Sequence, residues 1–60
     1  MEEYKVYLLG PDGLIVSRID LRCEDLNAAI ERARQLAHGC AAELWKGDRK
    51  IGEYPARQQS

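Results

Sequence analysis

The chain has 60 residues, is 45% hydrophobic and 32% charged, and carries nine Lys+Arg against ten Asp+Glu for a formal net charge of −1. That composition describes one small folded domain, too short for a multidomain enzyme or a Rossmann-type cofactor binder. A domain of this size buries only about 60% of the surface its unfolded chain exposes, so its core is thin, and the near balance of charge argues against a partner held by a basic field.

Tyr4 to Leu9 (Tyr-Lys-Val-Tyr-Leu-Leu) is rich in strand formers, and Gly10-Pro11-Asp12-Gly13 after it is the strongest turn chemistry in the sequence. A second strand is predicted over Leu14 to Arg22. With Asp12-Gly13 as a two-residue turn, Tyr4 faces Leu21, Val6 faces Ile19 and Leu8 faces Ser17. Lys5, Tyr7 and Leu9 then face Asp20, Arg18 and Val16 on the other side. Pro-Asp-Gly equally suits a type I turn followed by a glycine bulge, which would slip the pairing by one residue and set Val6 beside Arg18. A one-residue slip turns a whole strand over, so the match of apolar residues decides the expected register.

From Leu26 the period changes to that of a helix. Leu26, Ala29, Ile30, Ala33, Leu36 and Ala37 fall on one face, with Asn27, Glu31, Arg32, Arg34 and Gln35 opposite. Asp25 is placed to cap the first turn, and Gly39 after His38 to close the last. Alanine at 29, 33 and 37 would let the helix sit close on a sheet. The strand pattern returns from Cys40 to Lys46 and again from Arg49 to Tyr54. The Gly47-Asp48 loop between them suits a type II′ turn that sets Leu44 opposite Ile51 and Trp45 opposite Lys50. The core set on this reading is Tyr4, Val6, Leu8, Ile15, Ile19, Leu21, Leu26, Ile30, Leu36, Leu44 and Ile51.

The order is ββαββ, an α+β two-layer domain over residues 1–54 with one helix on one face of a four-stranded antiparallel sheet. A crossover that skips the first strand gives the order 2-1-3-4; a parallel pair of strands 2 and 3 is the second choice. Residues 55–60 read as a disordered polar tail. No apolar run approaches the roughly 20 residues that cross a bilayer, and the acidic Met1-Glu2-Glu3 start differs from a signal peptide. No membrane association is expected, and the expected location is cytoplasmic.

The residues offer little to catalysis. Cys23 and Cys40 stand at opposite ends of the helix, some 20 Å apart for about 14 residues at 1.5 Å each, too far for a disulfide. They read as reduced thiols. His38 and Cys40 lack the further ligands of a zinc site, Glu24-Asp25 reads as helix capping, and Ser17 has no histidine beside it. Neither enzymatic activity nor a cofactor or metal is expected.

The informative residues are those on the sheet face turned from the helix. Lys5, Tyr7, Leu9, Leu14, Val16, Arg18, Glu43, Trp45, Lys50 and Tyr54 have no cover within the chain. Of these, Tyr7, Leu9, Val16, Arg18, Trp45, Lys50 and Tyr54 form the candidate interaction face, an apolar patch with a charged rim. Burying it in a homodimer would widen the core of a small domain. The bland alternative is a solvated face on which Tyr7 and Trp45 stack on each other and on the Lys50 and Arg18 stems. Single-stranded nucleic acid could stack on the same aromatics. Glu43, the balanced charge and the lack of an RNP-like aromatic run argue against it.

The pattern Tyr4-x-Val6-Tyr7-x-Leu9, Asp12-Gly13-x-Ile15, Ile19, Cys23-Glu24-Asp25, Ala28-Ala29-Ile30, Ala33 and Glu43-Leu44-Trp45 resembles a group of short bacterial proteins, common in soil α-proteobacteria, that carry no assigned function. The resemblance runs from Tyr4 to Ile51 and is most distinctive at Glu-Leu-Trp. It implies a cytoplasmic ββαββ domain and brings no catalytic residue. A fainter similarity is to HicB-type antitoxins, in which a hairpin with an Asp-Gly turn precedes an alanine-rich helix. The third strand before the helix and the DNA-binding extension common in that family have no counterpart here. That similarity implies a small toxin-like protein partner.

Overall fold

A computed structural model describes residues 1–56 of the chain. Its elements are β1 (Glu2–Leu9), β2 (Ile15–Cys23), α1 (Leu26–Leu36), β3 (Ala41–Lys46) and β4 (Arg49–Tyr54). The strand order is β2-β1-β3-β4 and every neighbouring pair is antiparallel, with α1 packed on one side of the sheet. The expected order 2-1-3-4 and the α+β class are therefore those of the protein. Of the expected tail, Pro55 and Ala56 follow β4 as exposed residues, and 57–60 lie outside the described residues.

Asp25 has the extended backbone of an N-cap, and its Oδ1 accepts the Ala28 N–H at 2.9 Å. One of the first turn's orphan donors is satisfied in this way. The helix closes at Leu36, earlier than expected: Ala37 is the C-cap, its N–H donating to the Ala33 carbonyl at 3.0 Å. Gly39 does take the left-handed conformation, with φ +86°, two residues beyond that cap.

Ala29, Ala33 and Ala37 form a stripe at i, i+4 and i+8 that is almost wholly buried. Beneath it lie Val6 and Leu44, both fully buried, with Tyr4, Leu21, Cys23 and Ala42 completing the core. Leu8, Ile19, Ile30, Leu36, Ile51 and Tyr54 pack around its margin. Leu26, expected inside, is 43% exposed. Helical side chains tilt toward the N-terminus, which carries a first-turn residue off the end of the contact.

Both readings of the first turn turn out to be satisfied together. The Gly13 N–H donates to the Gly10 carbonyl at 2.9 Å, the Gly10 N–H donates to the Leu14 carbonyl at 2.8 Å, and Gly13 has φ +83°. This is the type I turn with a glycine bulge. Its one-residue slip lasts only as far as Leu9, which pairs with Ile15. An extra residue at Val16 then restores the apolar register, so that Leu8 pairs with Ser17, Val6 with Ile19 and Tyr4 with Leu21. The expected pair of Leu9 with Val16 is thereby replaced. Ile15, assigned to the core from sequence, is 58% exposed.

A second irregularity corrects the other hairpin. Trp45 pairs with Lys50 and Lys46 with Arg49 as expected, and Gly47 alone of the two loop residues has positive φ, +63°, as a type II′ turn requires. Leu44, however, lies opposite Gly52, with Ile51 as the extra residue. An unbroken ladder would set Glu53 opposite Ala42, beneath the helix. The bulge sets Tyr54 there instead and puts Glu53 opposite Glu43. Gly52 accommodates this, since a Cβ added to it would stand 2.9 Å from the Tyr54 hydroxyl.

Two outcomes follow from this packing. Replacing Ala33, which is 0% exposed, by Leu overfills the helix–sheet contact and is expected to cost about 1–3 kcal/mol in denaturant unfolding. Deleting Val16 leaves the glycine-bulge turn and the apolar register mutually consistent. The Tyr4–Leu21 and Val6–Ile19 pairings are therefore expected to persist, as read in NMR by cross-strand Hα–Hα contacts of the intervening non-hydrogen-bonded pairs Lys5–Asp20 and Tyr7–Arg18.

Candidate interaction face

Trp45 is the centre of the helix-free face. Residues two apart on a strand share a side, so Glu43 lies beside it on β3, while Lys50 is opposite Trp45 and Glu53 opposite Glu43 on β4. On the other flank Tyr7 of β1 is opposite Glu43. The Trp45 and Tyr7 rings meet edge to face, with centroids 6.0 Å apart and planes at 89°. That geometry sets the positive edge of one ring against the negative face of the other.

A short polar network fixes the indole. Trp45 Nε1 donates to Glu43 Oε1 at 3.1 Å, and Lys50 Nζ donates to Glu43 Oε2 at 3.2 Å. Lys50 also meets Glu53 Oε1 at 2.7 Å. The Trp45 N–H, and after it the Lys50 ammonium, hold the Glu43 carboxyl below the usual carboxylate range. Glu53 first, then Glu43, hold Lys50 above the usual lysine range. Partly exposed ion pairs contribute little to stability. The effect here is to orient Trp45 and to satisfy its one donor.

The expected face residues divide. Tyr7, Leu9, Arg18, Trp45 and Lys50 lie on this side, with Arg18 directly opposite Tyr7 and Leu9 opposite Ile15. Val16 does not join them. As the bulge residue it approaches Gly10, whose added Cβ would lie 3.1 Å from Val16 Cγ1. Tyr54 also leaves the face, because the Ile51 bulge turns it to the helix side, where it lines a groove with Ile30, Arg34, Ala37 and Pro55.

Two residues not expected on this face belong to it. Ile15 lines a shallow depression with Tyr7, Glu43, Trp45, Gly47 and Asp48, and Glu53 joins the network through Lys50. Meeting the Pro-Asp-Gly turn preference and the apolar register together demands one extra residue in β2, and its place at Val16, which sets the side Ile15 takes, is fixed by the packed sheet. The apolar band is therefore Tyr7, Leu9, Ile15 and Trp45, with Leu14, 66% exposed, at the hairpin end. Oppositely charged residues face each other along its rim, Lys5 with Asp20 and Glu3 with Arg22.

Elsewhere the chemistry is sparse. Cys23 is buried and Cys40 half-buried, both as free thiols. Among the described residues, no three His, Cys, Asp or Glu side chains are gathered where they could hold a metal ion. No helix among them is long and apolar enough to cross a membrane.

The polar network carries a pH signature. A carboxyl with a depressed folded-state pKa stabilises the fold above the pKa of the unfolded chain, and this contribution is lost as pH falls through the folded value. Emission from Trp45, the single tryptophan, is expected to change with a midpoint below the ordinary glutamate range. Glu43→Gln should remove that acid-side transition.

No family model, curated protein or solved structure matches this chain.

Proposed function

We propose that the chain is a small cytoplasmic protein-interaction domain that forms a homodimer through its helix-free sheet face, with no catalytic role. The observation that carries this reading is the apolar band of Tyr7, Leu9, Ile15 and Trp45 on the side of the sheet opposite α1. Exposed Leu14 extends that band at the hairpin end. An aromatic and aliphatic centre with a charged rim is the composition of an interface.

Two further features support it. Trp45 Nε1 is already bonded to Glu43, so covering the indole strands no donor. Lys50 lies between the Glu43 and Glu53 carboxylates, so that its ammonium also enters the interface paired. A standard interface takes about 800 Å² from each partner, a little under a fifth of the 4488 Å² this chain exposes.

Binding of single-stranded nucleic acid is disfavoured by the same network, since Glu43 and Glu53 neutralise the Lys50 cation beside the aromatics. The HicB-like reading places a small toxin-like partner on this face. It would show itself as a heteromeric complex displacing the homodimer.

Sedimentation at high micromolar concentration tests the proposal. The chain is expected to sediment as more than one 6.8 kDa unit, and Trp45→Ala or Ile15→Lys should dissociate the face contact while leaving the circular dichroism unchanged. A wild-type monomer under these conditions would overturn it. Trp45 fluorescence should not respond to single-stranded oligonucleotides at low salt.

A further inference from the structure

The sheet has two edges, β2 and β4, and they differ. β4 spans six residues, Arg49–Tyr54, and is interrupted by the bulge at Ile51, so it offers no long regular ladder to another strand. β2 is nine residues long, and beyond its bulge at Val16 it runs without interruption from Ser17 to Cys23. Its outer side carries backbone donors and acceptors that no strand of the described chain pairs. An edge of that kind is a template for a further strand unless its side chains forbid one.

The charges on β2 select the strand that fits. Arg18, Asp20 and Arg22 alternate in sign at every second residue, all on the helix-free side. In an antiparallel pair of two β2 strands related by a two-fold axis, residue i meets a residue whose number is fixed by the centre of symmetry. Centring on Arg18, Asp20 or Arg22 sets each against its own copy. Centring on Ile19 sets Arg18 against Asp20 of the second copy, twice, with the two Ile19 side chains meeting on the helix side. Centring on Leu21 would pair Asp20 with Arg22, but brings the Glu24–Asp25 link into the helix, which leaves the sheet directly after β2, toward the second strand.

We propose that β2 is a second self-association site, pairing antiparallel with β2 of another copy about a two-fold axis at Ile19. The pairs are Ser17 with Leu21, Arg18 with Asp20 and Ile19 with Ile19, and the Val16 bulge ends the ladder on each side. Ile19 is half-buried and already packed at the core margin, so the contact continues that core across the edge. The axis stands perpendicular to the sheet. Both helices therefore remain on one side of an eight-stranded sheet, and two helix-free faces become one continuous surface.

This inference does not rest on the face contact, but it combines with it. Face stacking uses an axis in the plane of the sheet and edge pairing one perpendicular to it, and two perpendicular two-folds that intersect close a tetramer rather than an open fibre. The closed assembly is two eight-stranded sheets stacked face to face with the helices outside.

The charges supply the test. With the face contact removed by Ile15→Lys, the chain is expected to sediment as a dimer at high micromolar concentration. Arg18→Asp or Asp20→Arg in that background should weaken the dimer about tenfold or more by juxtaposing like charges. The exchange Arg18→Asp with Asp20→Arg should restore it. A monomeric Ile15→Lys protein with native circular dichroism would overturn the edge proposal and leave the face intact. A dimer indifferent to both single changes, or not rescued by the exchange, would also overturn it. Wild-type protein of dimeric mass that Arg18→Asp dissociates and Trp45→Ala does not would sustain the edge and remove the face.

Discussion

A single helix can cover only one side of a sheet, and the rest of this small fold follows from keeping the core residues Tyr4, Val6, Leu21, Ala42 and Leu44 on that side. The helix meets the sheet through methyl groups, Ala29, Ala33 and Ala37. Close approach therefore replaces bulk: Val6 and Leu44 are fully buried beneath side chains that contribute almost no volume. The described chain has no buried polar or charged side chain.

The two bulges are the means of meeting that constraint. Strand periodicity is two, and neither hairpin turn delivers its strands in the phase the core requires. At Val16 an extra residue compensates for the slip imposed by the Gly10–Gly13 turn. At Ile51 an extra residue keeps Glu53 out from beneath the helix and brings Tyr54 in, with Gly52 leaving space for its ring. The same displacements assemble the opposite face. Ile15 arrives beside Tyr7 and Trp45 because Val16 is bulged, and Glu53 reaches Lys50 because Ile51 is.

The open side thus acquires its character as a by-product of burying the other. Its aromatic pair is held edge to face, its indole donor is satisfied by Glu43, and Lys50 is shared between Glu43 and Glu53. The β2 edge has a different logic, in which charge alternation along the strand rather than apolar content discriminates between partners.

The order of elements, the Asp25 cap, the left-handed Gly39 and Gly47, the strand order and most of the core were legible from the residues, because each is set by local chemistry or by a period that repeats along the chain. The central part of the β1–β2 register was legible too, since only one pairing keeps Tyr4, Val6 and Leu8 on the side of Ile19 and Leu21. Which side Ile15, Val16 and Tyr54 occupy was not. A bulge has no residue signature of its own. It arises where a turn's preferred geometry and a distant helix make incompatible demands on one strand, and only the packed sheet and helix together decide where the extra residue goes.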